Sequence, residues 1–239
     1  MTLIALWELF TRSGFVDPLL VSGPADVLRA FRDDASLLTE NTLVTAREAL
    51  IGLALAIVFG VTGGLALHLS PFLRDATLPI LIGTQAVPLV VLAPLLVIAF
   101  GYGITAKLII VAIACFFPVV VGTFDGLRSS NPELLKLLRS LGAGRLRVLW
   151  LAELPGAMPR ILGGVRIAAT WAFISAVFSE YAGSTEGLGY LIMRGTPMFD
   201  TERVYAAIIL LSLASLSLWS LVTLLERRLI PWQRHDGAH

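Results

Sequence analysis

The chain has 239 residues, of which 56% are hydrophobic and 15% charged, with a net charge of +1. An average soluble domain is about 25% charged and must cover its outside with polar groups. A mean hydropathy of +0.83 therefore excludes a cytosolic enzyme, a disordered chain and a secreted disulfide scaffold, and leaves a polytopic helical membrane protein. The single Cys115 excludes an internal disulfide. His68 stands alone, and His235 and His239 sit at the very end of the chain, so metal chemistry has almost no ligands to use. Lys107 and Lys136 are the only lysines and neither follows a glycine-rich loop. A Walker loop is absent, and any ATP chemistry belongs on another chain.

In chain order, Thr2 to Leu6 is apolar, but Glu8 and Arg12 follow at once, so this stretch is too short to span. It reads as an interfacial half-helix or the remnant of a sixth span, followed by an external segment up to residue 41. A crossing helix needs about 20 apolar residues, and five uncharged runs supply them: about 48–69, 78–100, 104–124, 160–181 and 204–225. The second ends at Gly101-Tyr102-Gly103. Lys107 lies close enough to the end of the third to snorkel. Gly60, Gly63-Gly64 and Gly163-Gly164 fall within or beside spans, where small residues let helices approach closely. The expected architecture is all-α, with a permease domain over 42–226 and a tail over 227–239.

Basic residues set the orientation. Arg74, the loop residues Arg128, Lys136, Arg139, Arg145, Arg147 and Arg160, and the tail residues Arg227, Arg228 and Arg234 share one side of a five-span chain. They are ten of the 18 basic residues. The opposite segments carry only Arg12, Arg29, Arg32, Arg194 and Arg203, among many acidic residues. Loop 125–160 and the C-terminus are therefore expected in the cytoplasm.

That loop is patterned as helix. Asn131 is a good N-cap, Pro132 suits the first helical position and Glu133 the positive helix end. Leu134, Leu137, Leu138 and Leu141 share one face, and Gly142 stops the helix. Arg145 to Glu153 reads as a second short helix ended by Leu154-Pro155. A leucine stripe in water needs a cover, either the ends of its own bundle or a groove on a soluble partner.

Segment 136–155 resembles the EAA loop of ABC-importer permeases. Gly142 and Leu154-Pro155 match that pattern in type and spacing. Lys136, Leu137 and Leu138 stand where E-A-A is usual, and Ala152 where Ile is usual. The likeness extends along the chain through Gln85-Ala86-Val87-Pro88, Ala93-Pro94-Leu95, Phe100-Gly101-Tyr102-Gly103, Phe116-Phe117-Pro118, Asp125-Gly126-Leu127-Arg128, Arg139-Ser140-Leu141-Gly142-Ala143, Gly187-Leu188-Gly189-Tyr190 and Glu226-Arg227-Arg228. Together these resemble the nitrate/taurine/sulfonate-type permeases, and within them the permeases for thiamine-pyrimidine precursors or riboflavin. The resemblance implies a type I importer fold in a bacterial or archaeal plasma membrane, with no catalytic residues, metal or cofactor on this chain. Many such permeases have six spans, whereas this chain reads as five plus the short N-terminal helix or partial span. The implied partners are a second permease copy, two cytoplasmic ABC ATPases, an external solute-binding protein and the bilayer, with no nucleic acid. The ATPase-coupling residues would be Glu133, Leu134, Lys136, Leu137, Leu138, Leu141, Gly142, Ala143, Leu154 and Pro155.

For the translocation path the candidates are Gln85, Pro88, Pro94, Trp171, Ser175 and Glu180. Gln85 is an amide in an apolar run that must bond a substrate or a neighbouring helix carbonyl. Pro88 and Pro94 kink the second span and free carbonyls. Trp171 and Ser175 are one turn apart and either line a path or pack the bundle. Glu180 lies near the outer interface in a structural or gating role, and Gly187-Leu188-Gly189 makes a tight turn in the outer loop that would seat the binding protein. The rival reading, an ion-coupled secondary transporter, usually places carboxylates at mid-membrane, and no run has one there.

Overall fold

The computed structural model describes residues 2–12 and 21–230. They form helices α1 (Thr2–Arg12), α2 (Pro24–Asp33), α3 (Ala35–Leu69), α4 (Pro71–Thr84), α5 (Leu89–Phe100), α6 (Ile104–Arg128), α7 (Pro132–Ser140), α8 (Arg145–Val148), α9 (Leu154–Tyr181), α10 (Leu188–Gly195) and α11 (Thr201–Leu229). A π-turn, Leu149–Glu153, joins α8 to α9, and a short 3-10 turn, Thr196–Met198, follows α10. Among the described residues four helical stretches are long and apolar enough to cross a membrane, and a fifth crossing is available if the bent pair α4–α5 counts as one span.

The core is α3, α6 and α9. Helices α3 and α6 run parallel, with residue i of α3 facing i+59 of α6. Gly52, Ala56, Gly60 and Gly64 recur every fourth residue and form one face. A Cβ on Gly52, Gly60 or Gly64 would lie 2.5, 2.7 or 2.6 Å from the side chain of Val111, Val119 or Thr123. In lipid, helices gain little from hydrophobicity when they meet, so close van der Waals contact between small residues drives the pairing. Helix α9 packs antiparallel on α6 while sharing a core cluster with α3, and it meets α6 again through small residues: Gly122 and Gly126 against Gly164 and Ala157. Helix α11 lies against α9 and leaves most of its surface to the surroundings.

Several expected boundaries change. The first span is longer than 48–69: α3 begins at Ala35, so the external segment ends there rather than at 41. Its 35 residues rise about 52 Å, well beyond a hydrocarbon core of about 30 Å. The added turns, with α2, pack against α10 and α11 through Val27, Ala30, Leu38, Leu188 and Leu191. The run 78–100 is not one helix. It breaks at Gln85–Pro88, and α4 and α5 meet at 102°. Pro88 takes the N-cap position of α5, whereas Pro94 lies inside α5 without breaking it. Leu154-Pro155 ends no helix either. Arg145 to Tyr181 is one helical run, because Pro155 falls in the first turn of α9, directly after the π-turn. The other spans extend at their ends, to Arg128 and over Thr201–Leu229. Arg227 and Arg228 therefore belong to α11, and the rest of the expected tail, 231–239, lies outside the described residues.

Helix α1 has 11 residues, too few to span, and the ring of Trp7 lies 6.0 Å from that of Tyr205 on α11.

Candidate functional site: a cavity and an uncovered helix

Opposite α3, helices α6 and α9 and the α4–α5 break enclose a cavity of about 1190 Å³. The break exists because Pro88 supplies no N–H and disfavours helical backbone at Val87. It places Thr84, Gln85, Val87, Pro88, Leu89 and Leu92 along one wall. Ile113, Phe117, Pro118 and Val121 of α6 form the floor, and Pro159, Gly163, Ile167 and Trp171 of α9 the far wall. Asp125, Arg128, Ser129 and Arg160 line the mouth at the α7 end.

Three of the six path candidates meet here: Gln85, Pro88 and Trp171. Gln85 is exposed, and its Nε2 donates to Thr84 Oγ1 at 3.3 Å, not to a carbonyl of another helix. Pro94, Ser175 and Glu180 are not in the lining. Ser175 is fully buried and returns its hydroxyl to the carbonyls of Trp171 and Ala172. A serine at that spacing from an exposed tryptophan need not share its face, because the cavity edge passes between them. At the mouth, Arg128 lies over the ring of Phe124 and Arg160 donates to the Asp125 carbonyl at 3.0 Å.

Glu180 belongs instead to a polar cluster at the opposite end of the bundle. Its Oε1 accepts from Thr45 Oγ1 at 2.6 Å, and its Oε2 accepts from the Gly189 N–H. The Leu188 N–H donates to Thr45 Oγ1 at 2.8 Å and the Gly187 N–H to Asn41 Oδ1 at 2.6 Å. The orphan N–H groups at the start of α10 are thus capped by side chains of α3 and α9, with a carboxylate at the positive end of the helix dipole. Gly187 and Gly189 are glycines because a Cβ there would come within 2.3 and 2.6 Å of the Glu180 carboxyl group. Beside this cap, Lys107 Nζ lies 2.7 Å from Glu48 Oε1 and donates to Ser184 Oγ at 2.7 Å. Lys107 is 8% exposed. It turns into the protein rather than snorkelling, because Glu48 lies opposite it in the α3–α6 register. Sequence reasoning missed this cluster. The available signal was the spacing of Glu48 and Lys107, which repeats that of Gly52 and Val111. Among the described residues no group of three or more His, Cys, Asp or Glu side chains could hold a metal.

At the cavity-mouth end, α7 stands clear of the bundle. Asn131 Oδ1 accepts the Glu133 N–H at 2.9 Å, capping its start. Its end is a Schellman turn: Gly142 has φ +82°, its N–H donates to Arg139 O, and the Ala143 N–H reaches Leu138 O at 3.0 Å. None of its residues is buried. Leu134, Leu137 and Leu141 are 44, 55 and 74% exposed and Leu138 is half-buried, so the bundle leaves most of the leucine stripe uncovered. Lys136 and Glu133 are exposed beside it, and Ala143 is half-buried.

A bundle of helices long and apolar enough to cross a membrane, packed around a cavity, has the architecture of a transporter. Residues 52–231 match the binding-protein-dependent transport system inner membrane component family. The chain belongs to that family, the permease subunits of ABC transporters. It is 34% identical to the formylaminopyrimidine transport permease protein ThiX of Halalkalibacterium halodurans, over 98% of this chain and 94% of that one. It is 36% identical to the riboflavin transport system permease protein RibX of Chloroflexus aurantiacus, over 98% and 88% respectively. An inward-facing form of the MetNI methionine ABC transporter superposes with a TM-score of 0.73 at 15% identity, covering 82% of this chain and 97% of that one. That likeness is one of fold. Membership replaces the ion-coupled alternative.

Proposed function

We propose that this permease works as a pair, with a second copy or a similar chain, on two cytoplasmic ABC ATPases, and passes a solute delivered by an external binding protein. The observation that carries the reading is the leucine face of α7, which is capped at both ends, held off the bundle and uncovered. In water such a face requires a groove on a partner. Glu133, Leu134, Lys136, Leu137, Leu138 and Leu141 form the docking helix, and Gly142 and Ala143 form the turn that orients it. Leu154 and Pro155 act differently, in the first turn of α9, where they carry the push into a span. The α7 end faces the cytoplasm, as the excess of basic residues there requires. A cysteine at the exposed Ser129, in a Cys115→Ser background, should stay unlabelled by an impermeant thiol reagent applied to intact cells, and labelling there reverses the topology.

The solute is a flat nitrogen heterocycle, the pyrimidine precursor or riboflavin named for the two relatives. An amide from Gln85 and rings from Trp171 and Phe117 line the same cavity, and such walls suit a planar ring that is polar at its edge. The second reading is a sulfonate- or nitrate-type anion, favoured by Arg128 and Arg160 at the mouth. Asp125 at the same mouth and the internal bonds of both arginines support the first.

Gly142→Asp tests the assembly. A residue with a Cβ costs roughly 1–2 kcal/mol in the left-handed region, and nothing lies within 4 Å of the Cβ position in this chain. The mutant should therefore insert in the membrane while losing its seat on a partner. Uptake of formylaminopyrimidine should fall severely, and the ATPases should no longer co-purify. Near-normal values for both would defeat the docking-helix assignment, and uptake of taurine in place of the pyrimidine would move the substrate to the second reading.

A further inference from the structure

The docking helix is tied to the bundle at two places other than its own continuation. After Gly142–Gly144 the chain enters α8 and the π-turn, and one side chain from each reaches the last turn of α3. Arg145 donates from its guanidinium to the carbonyl of Leu69 at 2.6 Å, one of the four carbonyls that a helix end leaves without an internal partner. Eight residues later, at the end of the π-turn, Glu153 Oε2 lies 2.8 Å from His68 Nε2. At that separation an imidazole N–H donates to a carboxylate, and the two side chains are 17 and 11% exposed. Between these contacts Leu149 packs in a cluster that includes Leu65 of α3. The segment that follows α7 is thus pinned to α3 at its start and its end. A π-turn inserts one extra residue into the helix and is found preferentially where a helix does work. Here it rotates Glu153 toward His68.

We infer that His68 and Glu153, with Arg145, form a strut by which movement of the docking helix is delivered to α3 as well as to α9. The inference rests on the docking reading of α7. Without the strut, α7 would act directly on the two helices it joins in the chain, α6 and α9, and not on α3. With it, α3 is moved from the same end as α6 and α9, on both of which it packs. His68 and Glu153 are positioning residues, since neither lines the cavity.

The test uses the whole transporter, with its ATPases and binding protein, reconstituted in liposomes. His68→Leu removes the donor, and His68→Gln places an amide nitrogen where Nε2 stood. In His68→Leu the ATPases should still co-purify, because α7 is untouched. Solute moved per ATP hydrolysed should fall about tenfold, within the range that mutations along a coupling path produce, and His68→Gln should restore most of it. Spin labels at Ser70 and Ser140, in a Cys115→Ala background, supply a readout independent of transport. Their separation should be narrow with and without ATP in the parent and broad in His68→Leu. Wild-type transport per ATP with a narrow distance in His68→Leu overturns the strut. So does equal failure of His68→Gln and His68→Leu, or loss of His68→Leu from the membrane while His68→Gln inserts, which makes the contact one of assembly. If the ATPases fail to co-purify with the parent chain itself, the docking reading fails, and that result is distinct from any of these.

Discussion

Leucine at Gly164 is expected to leave almost no folded permease in the membrane, while leucine at Gly163, one position earlier, is expected to fold normally. The two glycines are adjacent in the middle of α9 and have the same sequence context, but they point to different places. A Cβ on Gly164 would lie 2.4 Å from the carbonyl oxygen of Pro118 and 3.4 Å from the Cα of Gly122. Both neighbours are backbone, so no side chain can rotate away, and α6 and α9 must separate. Overpacking a close-packed contact costs roughly 1–3 kcal/mol when side chains can adjust, and here the cost lies at or above the upper end because a helix must move. Separating these helices also loosens Gly122 from Arg160 and Gly126 from Ala157, where Cβ positions lie 2.8 and 2.9 Å from backbone carbonyls. A Cβ on Gly163 meets nothing within 4 Å, because that position faces the cavity. Gly163→Leu should therefore accumulate and melt like the parent while taking up solute more slowly through a narrowed cavity. Membrane yield and melting midpoint in detergent check both, and equal behaviour of the two mutants would show that the α6–α9 contact is looser than described.

This pair also shows what the sequence could and could not convey. Gly60, Gly63-Gly64 and Gly163-Gly164 stand out as places for close helix contact. Which member of each pair faces a helix depends on rotation about the axis, which composition does not record. The uncharged runs locate the membrane-embedded parts well, but they read the bilayer rather than the helix. Charged residues such as Glu40 and Arg47 therefore hid the first turns of α3, which continue as helix past the point where hydropathy falls. The caps of α7 were legible because Asn131, Pro132 and Gly142 act within a few residues of themselves. Pro155 misled for the opposite reason: a proline stops a helix in mid-run but fits a first turn, and only the π-turn before it decides which case applies. The Gln85–Pro88 break was legible as a kink, not as a 102° turn. The least legible feature was the burial of Lys107 and Glu180, since their partners lie on other helices.

That burial yields the second large effect. Lys107→Leu should destabilise the permease by about 3–5 kcal/mol, the usual result of removing one member of a buried ion pair. The lysine is the cation paired with Glu48, whose side chain is 3% exposed, and it also holds Ser184 in the turn before α10. Without it, Glu48 keeps a buried carboxylate with no positive partner, close to the carboxylate of Glu180. Glu48 Oε2 has no hydrogen-bond partner even in the intact protein, so the loss cannot be shared with another donor already in place. The effect should reach α10 as well, because Glu180 caps the Gly189 N–H and Thr45 the Leu188 N–H. Removing the charge on both sides should behave differently. Lys107→Leu combined with Glu48→Gln leaves no unpaired charge at that position and gives Glu180 an amide as neighbour, and replacing both members of a buried pair is often nearly neutral. Detergent melting midpoints of the parent, both single mutants and the double mutant form a cycle that isolates the pair. The double mutant should recover most of the loss seen in Lys107→Leu. If it is no more stable than that single mutant, the lysine acts through packing of its stem rather than through its charge. A parent-like midpoint for Lys107→Leu alone would mean that water or another cation reaches Glu48, and the cluster would then be open at this end of the bundle.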